Sequence, residues 1–408
     1  MRRWRAVRTG PGCGARSTAL GVLAMAVWAA SGCGGTGDAA DGVVRRDSLG
    51  VDVVDQPGTD RDLGVRLVAG TRLIDPDDAM APRPWGVGVH PESGALFAAD
   101  AFARSVHVFD GDGAYVRTFG RPGEGPGEFG SPSALAVAED GSVVVLDTGR
   151  GLLSRWSADG DLLEERPMPF EYWGPGFAAL PDGWATVRLD PEAGAEAVEQ
   201  QLLVSLGTGA HVLHEVVQPV VRTDLPCGGG PVTMPVVLAP DVVWAHHQGS
   251  VYHRVGPGYR VDVWRDGGMV ASHRRAVEPV AVTPALATEA VLSGPGPYRG
   301  FLRRCDITPE ALVAAVGYQE RVSPIMGMTV APDGRLWLTR TADGVRPTAY
   351  DVLGPDGVYA GSVEAPGFLV AVPQPDRLLV LRIEPTGGLD LRLWRVEHAD
   401  RDAEAPGP

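Results

Sequence analysis

Nine histidines, four cysteines and one local group of arginines hold most of the side chains with which this chain could do chemistry. The histidines stand at 90, 107, 211, 214, 246, 247, 253, 273 and 398, and no spacing among them resembles a dedicated zinc motif. His246 and His247 end a strand-like run, Val242-Val-Trp-Ala245, and point to opposite faces if that run is extended, so one of them could line a channel. Tyr298, Arg299, Arg303 and Arg304 make a basic cluster on an acidic chain. Guanidinium forks suit a carboxylate or a phosphate; surface pairing with Glu289, Glu310 or Glu320 is the other use of the same side chains. Asp110-Gly-Asp112-Gly113 imitates the opening of a calcium loop but lacks the later bidentate Glu, and reads as a hairpin turn. No G-x-S-x-G nucleophile elbow occurs. The Gly-rich loop Gly120–Gly127 lacks the Lys-Ser/Thr of a phosphate cradle. The chain has no Lys and no Asn, which excludes a Schiff-base lysine, a P-loop lysine and an Asn metal ligand. With 36 basic against 51 acidic side chains it is a poor partner for nucleic acid. No catalytic residue, metal ligand set or resident cofactor is assigned.

The elements that position these residues begin after an address. Residues 1–16 hold five Arg and no acid, and Ala19–Ala30 is a 12-residue apolar run. That pattern is a secretory signal, too short for a membrane-spanning helix. Its exit, Ala30-Ser31-Gly32-Cys33, resembles a bacterial lipobox. The resemblance implies cleavage before Cys33, lipidation of its sulfur with further acylation such as palmitate, and a membrane partner. Loss of residues 1–32 takes the net charge from −15 to −20. Residues 33–62 read as a flexible tether, and 399–408 as a disordered acidic tail.

Between them a repeat decides the fold. Gly94 aligns with Gly141 at an offset of 47, and at that offset Asp100 meets Asp147, Phe109 meets Trp156, and Asp112-Gly113 meets Asp159-Gly160. Each unit alternates short β-branched runs with Asp-Gly turns, the pattern of an antiparallel meander. Weaker copies give six units starting near 84, 131, 174, 231, 325 and 367. Four-stranded units at this period build a β-propeller. The last unit lacks its fourth strand, whereas 64–74 is a strand without a partner; pairing them closes the ring. The expected architecture is all-β: a six-bladed propeller over 63–398, closed by the N-terminal strand, with a helical insertion at 280–324 between blades four and five.

Gly125-Pro-Gly-Glu-Phe129, Pro132, Asp140-Gly141, Asp147 and Asp159-Gly160 resemble an NHL repeat, and the chain is similar to six-bladed propeller lipoproteins of bacteria. The family's Asn-x-Arg after the strand Asp is replaced by Ala103 and Ser105 in one blade and by Arg150 and Leu152 in the next, which bears on packing between blades. Related propellers include calcium lactonases and zinc lyases. Calcium or zinc would enter here only under that alternative, and the absence of Asn weighs against the lactonase.

The insertion is the main local anomaly. Thr283-Pro284 and Thr308-Pro309 each open a short helical pattern. Crossovers between blades share one face of a propeller, so Cys227 and Cys305 lie on that face, one blade apart. In an oxidising compartment they are expected to pair and to pin the insertion over the channel mouth. The reading as a whole is a lipid-anchored binding or scaffold module of the cell envelope, periplasmic or at the surface. Its ligand, a small molecule, peptide or envelope protein, would sit on the crossover face. The alternative is a metal-dependent hydrolase or lyase working from the channel.

Overall fold

A computed structural model describes residues 42–74, 84–168, 176–180, 183–190, 197–206, 209–225, 230–293, 298–384 and 388–398. The signal, Cys33 and the acidic tail lie outside these residues. Three N-terminal strands come first: β1 (Val44–Ser48), β2 (Val51–Gln56) and β3 (Val65–Ile74). Blade one is β4 (Pro84–Val89), β5 (Leu96–Asp100), β6 (Ser105–Phe109) and β7 (Tyr115–Phe119). Blade two is β8 (Pro132–Val137), β9 (Val143–Asp147), β10 (Leu152–Trp156) and β11 (Leu162–Pro167). Blade three holds β12 (Phe177–Leu180), β13 (Gly183–Leu189), β14 (Ala197–Leu206) and β15 (Gly209–Thr223), with β16 (Val232–Pro235) as a fifth strand. Blade four is β17 (Trp244–His247), β18 (Ser250–Arg254), β19 (Arg260–Arg265) and β20 (Gly268–Arg275).

The insertion then runs β21 (Val280–Ala281), α1 (Pro284–Ser293), α2 (Tyr298–Cys305), α3 (Pro309–Val316) and β22 (Arg321–Val322). Blade five follows as β23 (Ile325–Val330), β24 (Leu336–Arg340), β25 (Ala349–Leu353) and β26 (Tyr359–Glu364). Blade six is β27 (Phe368–Gln374), β28 (Arg377–Ile383) and β29 (Leu389–His398), completed by β3. The closing register runs from Val65 opposite His398 to Ile74 opposite Leu391. The N-terminal strand therefore seals the ring and leaves no blade with a missing edge.

Side-chain alternation builds the ring. On β5, Leu96 and Ala98 pack toward blade six, while Phe97 and Ala99 pack toward blade two. On β24, Leu336 and Leu338 face blade four and Trp337 faces blade six. These second strands are buried on both faces, so their sequences are almost wholly apolar rather than alternating. Six such clusters fill the six seams between successive blades. A seventh lies outside the ring, under the helices of the insertion. Two glycines are sterically required. A Cβ on Gly86 of β4 would stand 2.8 Å from the Leu135 backbone nitrogen of β8, and Gly141 turns at φ +80° with its Cβ position 2.4 Å from His90 Nε2.

Three expectations need correction. The tether does not extend to residue 62: Val44–Gln56 form a hairpin, and β2 lies parallel to β20 as an extra strand of blade four. The cause is apolar burial, since Val53 and Val54 are 4% and 0% exposed. Blade four does not begin near 231, because Val232–Pro235 pairs with the end of β15 in blade three and the first strand of blade four is β17. The insertion also holds a helix more than the two read from their Thr-Pro starts: α2 carries the arginine cluster, and its internal Gly300 hides it from a propensity reading.

Candidate ligand face

The insertion makes a cap on the crossover face. Thr308 Oγ1 accepts from the Ala311 amide at 3.2 Å, and Gly317 donates back to Val313 O at 2.8 Å, which fixes both ends of α3. Leu312, Val313 and Val316 of α3 pack with Ala287, Ala290 and Val291 of α1, and with Met234 and Val237 from blade three. Val237 bridges to the segment after α3, donating to Gly317 O at 3.0 Å and accepting from the Gln319 amide at 2.9 Å. Val345, in the β24–β25 loop of blade five, closes the same cluster, and Arg346 in that loop pairs with Glu289 of α1. The cap thus spans from blade three to blade five.

The expected basic cluster divides. Tyr298 is 9% exposed, and its hydroxyl lies 3.1 Å from both Pro235 O and Val236 O. Burial, assisted by the nearby Asp241 charge, pushes its pKa up to about 12. It seats α2 on blade three, its hydroxyl engaged by the two carbonyls. Arg303 and Arg304 are exposed on the last turn of α2, and Arg304 Cζ stands 5.7 Å from the Phe301 ring. Among the described residues neither has a carboxylate partner; Glu289, a candidate partner in the sequence, is taken by Arg346. The Arg299 side chain lies outside the described residues. Cys305 is 5% exposed within the cap core, whereas Cys227 lies outside the described residues.

The channel offers less. His246 and His247 sit at the end of β17, the innermost strand of blade four. Burial lowers the His246 pKa to about 4, with His247 adding to the shift, while burial lowers His247 against the charges of Asp333 and Glu139. Among the described residues no three His, Cys, Asp or Glu side chains converge as a metal site. A groove of about 710 Å³ lies on the outer rim between β26 and β3, bordered by Arg61, Arg66, Glu364 and Trp394.

Several buried polar groups carry no signal in the sequence. Asp351, fully buried, accepts from Tyr259 Oη at 2.9 Å, Arg275 Nη1 at 2.5 Å, Arg340 Nη1 at 3.3 Å and Ser362 Oγ at 2.6 Å. Arg275, also fully buried, continues to Asp60 at 3.0 Å and stacks 3.6 Å over the Tyr359 ring. Arg340 binds Asp60 as well, and the two guanidiniums hold its carboxyl down at about 2. This four-charge network clamps the segment after β2 across blades four and five. The repeated strand Asp has a similar structural task. Asp147 accepts from the Gly130 and Ser131 amides at 2.7 Å each, and from Gly149 and Arg150 at 3.0 and 3.2 Å. Arg150 reaches Glu128 O at 2.6 Å and Glu165 at 2.8 Å. It ties the Gly-rich crossover to blade two, a role open to the departure from Asn-x-Arg. Asp110 Oδ1 accepts from Asp112 and Ala114 amides at 3.0 and 2.8 Å, so this acidic stretch is the β6–β7 turn.

A family model described as a 6-bladed beta-propeller matches residues 89–183. No curated protein matches the chain. Among solved structures, a Bacteroides fragilis protein described as exported is 12% identical, over 85% of this chain and 99% of that one, with a TM-score of 0.46. A Xanthomonas campestris gluconolactonase is 16% identical over 82% and 89%, with a TM-score of 0.38. A Staphylococcus aureus virginiamycin B lyase, solved with quinupristin, is 12% identical over 84% and 92%, with a TM-score of 0.33. Likenesses at this level carry no chemistry to the present chain.

Proposed function

We propose that this propeller is a lipid-anchored binding or scaffold module of the bacterial envelope, held by Cys33, with its ligand or partner on the crossover face near the central channel, at the helical cap. The observation that carries the reading is the cap itself. It has its own core, is seated on blades three and five, and offers Arg303 and Arg304 outward on an otherwise acidic protein. A ring needs no such cluster for closure, and two exposed guanidiniums on one helical turn suit a carboxylate or phosphate group. A disulfide between Cys227 and Cys305 would hold the cap in place. Attachment in this proposal rests on Cys33; no helix among the described residues is long and apolar enough to cross a membrane.

Two measurements test it. Cys33→Ser should lose palmitate-analogue labelling and leave the membrane fraction; unchanged membrane association would remove the anchor. Titration with citrate and with inorganic phosphate should show binding that Arg303→Glu/Arg304→Glu weakens at least tenfold without a change in melting temperature. Equal binding by both proteins would remove the ligand face. The alternative, a metal-dependent hydrolase or lyase, rests on His246 and His247 at the channel edge. Stoichiometric calcium or zinc in the purified protein would favour it.

A further inference from the structure

The six seams are not equivalent. Inner strands lie side by side at five of them, β4–β8, β8–β12, β17–β23, β23–β27 and β27–β4; among the described residues β12 and β17 approach least. This seam, between blades three and four, also holds a histidine pair. His214 of β15 and His253 of β18 stack across it with ring centroids 4.6 Å apart. His253 is 3% exposed, and neither of its ring nitrogens has a hydrogen-bond partner among the described residues.

The surrounding charges are poorly placed to neutralise a second proton. Arg260 on β19 acts on both rings as a like charge and Arg254 on β18 acts so on His214, while Asp262 favours the charged form of both and the Arg254 backbone that of His253. The carboxylates that face it are committed. Asp262 of β19 accepts from Arg260 at 2.8 and 2.6 Å and from Ser272 Oγ at 2.7 Å, and Ser272 in turn takes Arg274 at 3.1 Å. Glu215, beside His214 on β15, accepts from Gln201 at 2.9 Å. His246 lies two residues from Trp244, the cross-strand neighbour of His253, and its own charged neighbour is His247. His107 has Asp100 at 3.8 Å and His273 feels Asp52 and Asp356 as well as Arg45, whereas His246 on β17 is depressed like His253 but has no histidine stacked on it across this seam.

We propose that the seam between blades three and four is an acid-operated joint: protonation of His214 and His253 parts these two blades while the other five seams hold. Stacked neutral imidazoles are compatible with a dry seam; two imidazoliums with ring centroids 4.6 Å apart, and Arg260 acting on both as a like charge, are not. The cap, which ties blade three to blade five over blade four, limits how far the joint can part.

Hydrogen–deuterium exchange of the full chain at pH 7.5 and 5.0, corrected for intrinsic rates, tests this. Peptides covering β15 and β18 should lose about thirtyfold in protection, the ratio for one imidazole at 6.5 in the open joint and about 4 in the closed one. Peptides covering β9 and β24 should change less than threefold. His253→Phe should abolish most of the seam's response. If that variant does not fold, His214→Phe at the half-buried partner reads the same effect. Equal loss over all six blades, or a seam response that persists in the variants, overturns the proposal.

Discussion

Asp351 and Arg275 show what single side chains do in this ring. Both are fully buried, and each is intelligible only beside the other. Replacing Asp351 with Asn keeps the volume but removes the buried carboxylate and leaves Arg275 only the half-exposed Asp60, and the expected loss is about 3 kcal/mol in denaturant unfolding. Arg304→Ala, on the exposed face of α2, should change stability by less than about 0.5 kcal/mol. The buried histidines set a pH dependence of definite sign. His253 is held at about 4 in the folded chain against 6.5 in the open one. The unfolded state therefore binds more protons between those values, and stability is complete above about pH 6.5 and falls toward pH 4. For His253 alone the loss is of the order of 3 kcal/mol, read as a falling melting temperature over that window. Asp60, held at about 2, adds stability that is lost only below its ordinary value of 3.8.

At the scale of elements, β3 closes the ring and the β1–β2 hairpin thickens blade four. Deleting residues 63–75 should abolish soluble, cooperative folding, because β29 loses its partner over the register from Val65 to Ile74; a cooperatively melting deletion variant would contradict the closure. The cap carries its own test. Thiol titration of the unfolded, unreduced protein should find neither Cys227 nor Cys305 free, and two free thiols would dismiss the disulfide. The sequence disclosed the blades because Asp-Gly turns recur in register with apolar runs. It also disclosed β3, because a fourth strand was wanting at the other end. The β1–β2 hairpin stayed hidden: β1 is exposed along its length, and β2 gains its place from a parallel neighbour more than two hundred residues away. Tyr298 beside arginines has the composition of a ligand clamp. Only the approach of Pro235 O and Val236 O shows that it also seats α2 on blade three. The Asp351 network was equally invisible, since its members lie in four separate stretches of chain.

The blades form a closed ring in which, among the described residues, strand carboxylates bind turns and the four-charge network clamps the N-terminal segment to two blades. The prominent addition to the ring is the cap, and the central claim is that a ligand or partner meets the protein there. Site-specific photo-crosslinking in cells tests it most directly, with the crosslinker at Arg303 on the cap and, as control, at Leu163 on the exposed outer strand of blade two. A discrete crosslinked species is expected from position 303, weakening when Arg304 is changed to Glu, and none from position 163. No product from position 303, or the same species from both positions, would contradict the claim.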